Sequence, residues 1–152
     1  MQQAVDAQRG LEAAYRRTHY EVEPPGGEQL VLLIDVASPA LQRVHARCGV
    51  SCSAFLTAWN PRSVRQSAPR NARANRELHE RVAVQGLQIW PGRGRDPLGE
   101  WPPEESLFVP GLGLEAACGL GREFGQHAIV HAAQDGVPRL VWLADPAMSV
   151  TA

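Results

Sequence analysis

The residues best suited to chemistry in this 152-residue chain fall in three stretches. The first runs from Thr57 to Asn75. It carries Thr57, Asn60, Ser63, Ser67, Asn71 and Asn75 as uncharged donors and acceptors, and Arg62, Arg65, Arg70, Arg73 and Arg76 around an expected helix start. The free amides and dipole of a helix N-terminus favour an anion. Arg70 or Arg73 would then hold an anionic group, while Thr57, Asn60, Ser67, Asn71 and Asn75 orient the ligand. Asn71, Asn75, Leu78 and Val82 follow one another at spacings of one helical turn, so the two amides extend the core-facing stripe and point inward or into a cleft. The competing reading makes the arginines a solvated face beside Glu77 and Glu80, and the asparagines fasteners of the loop backbone.

The second stretch is GRGRDPLGEWPPEES, residues 92–106. Its glycines match neither the dinucleotide nor the phosphate-loop spacing. Glu104 and Glu105 are adjacent, so in extended chain their carboxylates go to opposite faces and cannot act as a pair. Either one is a candidate catalytic base if a pocket raises its pKa, and either is a salt-bridge partner if an arginine reaches it. Trp101 joins the candidate ligand-binding set. The third stretch is Phe124-Gly125-Gln126-His127, where the Gln126 amide would contact a ligand or cap the turn. His127 and His131 share a strand face with Ile129 between them, a spacing that suits a metal, yet no third ligand is evident and no metal site is assigned. Likewise, His45, Cys48 and Cys52 lack a second pair at zinc spacing. No serine has a nucleophile-elbow context, so no reaction and no cofactor can be assigned.

The elements that must position these residues follow from periodicity. Leu11, Ala14, Tyr15 and Thr18 mark an opening helix, with residues 1–9 expected to fray. His19–Glu23 and Leu30–Val36 read as a hairpin across Pro24-Pro25-Gly26-Gly27, and the second of these, apolar on both faces, reads as a central strand. Ser38-Pro39 starts a helix that Gly49 ends. A strand over 53–58 then completes a strand–helix–strand unit with a right-handed crossover. Ser67 or Ala68 caps the helix carrying Asn71, and Gly86 closes it. Leu87–Trp90 is a short strand, Pro91–Pro103 a loop, Leu107–Val109 a strand, and Leu114–Phe124 a helix. Two strands flanking Asp135-Gly136, over 127–133 and 137–144, form a tight hairpin whose Pro138 belongs on an edge. The expected fold is a single α/β domain over 1–152, with a tail from 145. Its mixed sheet of about six strands is parallel in the middle and antiparallel in its flanking hairpins, with about three to four helices.

Composition fits this. Hydrophobic residues make up 44% and charged residues 20%, with a formal net charge of -1, so whole-chain charge predicts no polyanionic partner. The basic residues are all arginine, which reflects either bidentate contacts or coding bias. The longest apolar run, Leu30 to Ile34, is too short to span a bilayer, and three cysteines in no framework spacing suggest reduced thiols. The expected setting is cytoplasmic, away from membranes.

Taken in order, three groups of residues resemble one family. They are Phe55-Leu56-Thr57-Ala58-Trp59-Asn60-Pro61 with Ser67, Asn71 and Asn75; Gly94, Trp101 and Pro103-Glu104-Glu105-Ser106; and Phe124-Gly125-Gln126 with Ala128-Ile129-Val130. That family is the bacterial domain of unknown function 3293, with the likeness running from about Tyr15 to His131. The resemblance implies a small bacterial cytosolic domain and carries over no activity, cofactor or substrate. The family pattern has Asn where this chain has His127. The functional expectation is a pocket for a polar or anionic small molecule between the Asn60 loop, the Asn71 helix start and Glu104 or Glu105. Its rivals are a nucleic-acid or protein interaction module built on Arg62 to Arg76, and a regulatory partner protein without pocket chemistry.

Overall fold

The computed structural model describes residues 1–143. The expected tail from 145 and Ala144 lie outside the described residues. Helix α1 (Gln2–Arg17) leads into β1 (His19–Val22) and β2 (Leu30–Leu32), then α2 (Pro39–Cys48), β3 (Ser53–Leu56), α3 (Ala68–Ala83), β4 (Trp90–Arg95), β5 (Glu104–Pro110), α4 (Leu114–Glu123), β6 (Ala128–Ala132) and β7 (Pro138–Trp142). The expected caps form. Ser38 Oγ accepts from Leu41 N at 3.1 Å and Ser67 Oγ from Arg70 N at 3.3 Å, while Gly49 ends α2 in the left-handed conformation.

The sheet corrects the expected fold class. Its seven strands lie in the order β2-β1-β4-β5-β3-β6-β7, and every neighbouring pair is antiparallel, so it has no parallel centre. β2 and β3 do run the same way, as a strand–helix–strand unit requires, but β1, β4 and β5 lie between them. The hidden strand is β4. Its sequence, WPGRGR, has the composition of a loop, and one of its glycines, Gly92, serves packing instead. At Gly92 a Cβ would come within 2.8 Å of the Phe55 ring and 3.2 Å of the Glu21 carbonyl. Gly92→Ala should therefore cost about 1–3 kcal/mol by overpacking, measured by denaturant unfolding; an unchanged midpoint would contradict this packing.

A second correction concerns β2, which is an edge strand of three residues whose Val31 is 40% exposed. Its apolar run continues into Leu33, Ile34 and a turn at Asp35, where the backbone N–H donates to the Pro138 carbonyl at 2.7 Å. That bond ties the end of one edge strand to the start of the other, so the sheet curls.

Side chains alternate across the sheet and build two cores. Ala54, Leu56, Leu107, Val109 and Ile129 face α3 and α4, meeting Leu78, Val82 and Ala117. Tyr20, Val22, Phe55, Trp90, Phe108 and Val130 occupy the other face, which α2 covers with Leu41 and Val44. Helix α1 is different: none of its residues is buried, and Leu11, Ala14 and Tyr15 are half-buried. The reason is that its inner face abuts a cavity.

Candidate functional site

A cavity of about 100 Å³ opens on the α2-side face of the sheet, under α1. Leu11, Ala14, Tyr15 and Thr18 form its helical wall, and Tyr20, Phe55, Ala128 and Val130 its floor. Its polar rim comes from Thr57, Asn60, Ser63, Glu104, Ser106 and Gln126, with Asp96, Trp101 and Pro102 on the remaining side.

The loop after β3 supplies Asn60 and Ser63. It is strained: Asn60, Arg62 and Ser63 have φ of 45°, 58° and 59°, a left-handed conformation that costs L-residues roughly 1–2 kcal/mol each. Such a loop persists only where its surroundings hold it, and α3 does so. The Asn71 carboxamide accepts from Asn60 N and donates to Asn60 Oδ1, both at 2.8 Å. One turn on, Asn75 Oδ1 accepts from Ala58 N at 2.8 Å, and its Nδ2 donates to the Glu105 carbonyl at 2.9 Å. Thr57 Oγ1 donates to that same carbonyl at 2.6 Å. Gln126 Nε2 donates to Trp59 O at 3.2 Å, and Arg62 N to Gly125 O at 2.6 Å. The inward asparagines thus bind backbone, and they set the distance between the Asn60 loop and the start of β5.

Asp96 organises the opposite rim. Its carboxylate accepts from the backbone N–H groups of Leu98, Glu100 and Trp101 and from the guanidinium of Arg17 on α1. Arg17 and the backbone amides together hold this carboxyl far below its usual range. The same contacts anchor α1 over the cavity and place Trp101, 45% exposed, at its mouth. A depressed pKa contributes stability above the ordinary value of 3.8 that is lost as pH falls through the folded value. Asp96→Asn should therefore flatten the loss of stability below about pH 4; an acid limb of unchanged steepness in chemical denaturation would contradict this role.

Glu104 and Glu105 do alternate across the sheet. Glu105 is exposed on the α3 side in a cleft shared with His79 and Arg93, whereas Glu104 is half-buried in the cavity. Burial pushes the Glu104 carboxyl up to about 7, and the Asn60 side chain offsets only part of that rise. No ion pair reaches it among the described residues. Among the described residues every other acidic side chain without an ion pair is exposed, so Glu104 alone is withdrawn from water without a cation. Tyr15 responds to the same environment: burial first, and the Glu104 charge second, push its hydroxyl up to about 12.

Of the other residues singled out in the sequence, Ser67, Arg70 and Arg73 are exposed and outside the cavity lining. His127 stacks on Trp142, and His131 reaches the Leu112 carbonyl at 3.1 Å. His45 is buried against Ser53 Oγ at 2.8 Å. Among the described residues no group of three or more His, Cys, Asp or Glu side chains is placed to hold a metal ion. Ser63, one of the donors of the first stretch, joins the site, and Tyr15 and Asp96 join it without having been expected there. Asp96 had a legible signal, since Asp-Pro-Leu-Gly is a turn sequence with an Asp able to cap it. Tyr15 had none beyond its place on the inner face of α1.

Residues 56–129 match the model of a family described as "Protein of unknown function (DUF3293)". No curated protein and no solved structure matches the chain. The matched segment contains Thr57, Asn60, Ser63, Asp96, Glu104 and Gln126, together with the asparagines of α3 that position the loop. The helical wall from α1 lies outside it.

Proposed function

We propose that this chain, which belongs to the DUF3293 family through residues 56–129, binds a small polar organic molecule in the cavity under α1, with Glu104 as the group that exchanges a proton with it. The observation that carries this reading is Glu104 itself: a half-buried carboxyl without a counter-ion, inside a cavity ringed by Asn60, Ser63, Tyr15 and Gln126. Concave apolar sites with a few converging polar groups are where ligands bind, and a carboxyl titrating near neutrality suits general acid or base work. Asn71 and Asn75 act as positioning residues, and Trp101 as an apolar contact at the mouth. Because no arginine among the described residues lines the cavity, the ligand carries no net negative charge, which narrows the class from polar or anionic molecules.

A thermal-shift screen with neutral, cationic and anionic small molecules tests this. Ligand-dependent stabilisation should appear for neutral or cationic compounds and vanish in Ala14→Phe, which fills the cavity from α1. Stabilisation that survives Ala14→Phe would place the site elsewhere.

A second reading rests on a separate observation. Arg62, Arg65, Arg70, Arg73 and Arg76 are all exposed, and none is in an ion pair among the described residues. On this reading the segment contacts nucleic-acid phosphates. Binding of single- or double-stranded nucleic acid would then weaken steeply with salt and fall in an Arg70→Ala, Arg73→Ala variant; no binding at low salt ends it.

A further inference from the structure

We infer that the ligand of the α1 cavity is a small organic ammonium ion whose positive charge sits against the Glu104 carboxylate among aromatic side chains. This deepens the pocket reading and rests on it. The first argument is charge. The buried carboxylates of a folded chain are normally paired, because an isolated charge withdrawn from water is costly. Here the chain follows that rule at Asp96, which has Arg17, and at Glu21, which has Arg93 and Arg95. At Glu104 it does not. Fifteen arginines are available, yet none among the described residues lines this cavity, so a cation that pairs with the ionised carboxyl comes from outside.

The second argument is the lining. Tyr15, Tyr20, Phe55 and Trp101 bring aromatic rings to the same small space, and such rings attract a cation by their quadrupole, most strongly where water is excluded. Tyr20 and Phe55 are locked edge to face with centroids 5.1 Å apart, and the Tyr20 hydroxyl is committed to the Tyr15 carbonyl at 2.6 Å. The wall is therefore rigid, and the Tyr20 hydroxyl is not a free donor to a ligand. The Tyr15 hydroxyl, Ser63 and Asn60 remain as the polar groups that would select a ligand by its substituents.

The third argument is linkage. Tyr15 from α1, Tyr20 from β1 and the Asp96–Arg17 pair on the rim are the other titratable or charged groups facing this space. Both tyrosines are shifted further upward, by burial above all, and Asp96 stays ionised. Only Glu104 changes charge near neutrality. A cation requires its ionised form, so binding releases a proton, and affinity rises with pH until Glu104 is fully ionised. A neutral ligand that accepts a hydrogen bond from the protonated carboxyl has the opposite pH dependence.

Tetramethylammonium and ethylammonium are suitable probes, with tert-butanol and ethanol as their neutral counterparts. Amide shifts in ¹H–¹⁵N spectra and calorimetry in buffers of different ionisation enthalpy read the outcome. At least one ammonium probe should shift the amides around Asn60, Trp101 and Glu104 saturably at pH 8. It should bind about tenfold more weakly at pH 6, as the ionised fraction falls, and release a proton on binding. Glu104→Gln, which removes an unpaired buried charge and should fold at least as well, should abolish that binding. The inference is overturned if the neutral counterpart binds as tightly, if Glu104→Gln retains cation binding, or if affinity falls as pH rises. Neutral probes binding alone would overturn the ammonium class and leave the pocket reading standing; no probe of either kind in the cavity would overturn both.

Discussion

Replacing Asn75 with Ala is expected to destabilise the fold by about 3 kcal/mol. The substitution strips a partner from Ala58 N, whose residue has no exposure at all, and from the Glu105 carbonyl. An unsatisfied buried polar group costs about 1–3 kcal/mol, and Ala58 N lies out of reach of water with no other partner among the described residues. Asn75→Leu restores the apolar volume but leaves Ala58 N orphaned, while the Glu105 carbonyl keeps only its Thr57 bond, so it should not recover the loss. Asn75→Asp keeps the acceptor for Ala58 N but turns a second oxygen toward the Glu105 carbonyl, and should be no better than Ala at neutral pH. Equilibrium denaturation measures all three. A loss below about 1 kcal/mol for Asn75→Ala would mean that α3 does not hold the Asn60 loop by this bond.

The second large effect is a pH dependence of stability that belongs to one residue. Burial lifts Glu104 from its ordinary 4.5 to about 7, so the native state binds this proton more tightly than the unfolded chain. Between those two values the native state holds more protons, and stability falls as pH rises. The full difference is reached above pH 7 and amounts to about 3 kcal/mol. Below the unfolded value the group contributes no penalty. Glu104→Gln should therefore be as stable as the native chain near pH 4.5 and more stable at pH 8. Urea unfolding of both proteins across that range checks it; a stability difference between Glu104→Gln and the native chain that is the same at pH 5 and pH 8 would contradict the withdrawn, uncompensated carboxyl.

Much of this site was legible in the residues, but its division of labour was not. Alternation alone sends Glu104 and Glu105 to opposite faces, and helical spacing alone turns Asn71 and Asn75 inward. Whether an inward amide meets a ligand or a backbone depends on the partner strand, and spacing in one chain does not report that. The parallel centre failed for a related reason. β4 is written in Pro, Gly and Arg, with Phe55 and the Glu21 carbonyl pressing against Gly92, so one of the three strands between β2 and β3 looks like a loop. Without it, β2 and β3 appear to be neighbours joined by a crossover. Helix α1 posed the reverse difficulty, since its apolar face reads as core packing although it roofs a cavity.

Ligand class, proton release and the pH dependence of stability all turn on the charge state of Glu104. The most direct measurement is a pH titration of the Glu104 side-chain carboxyl carbon by ¹³C NMR in the ligand-free protein, assigned with Glu104→Gln. The predicted midpoint is about 7. A midpoint at the ordinary 4.5 would show a solvated carboxylate and contradict the site.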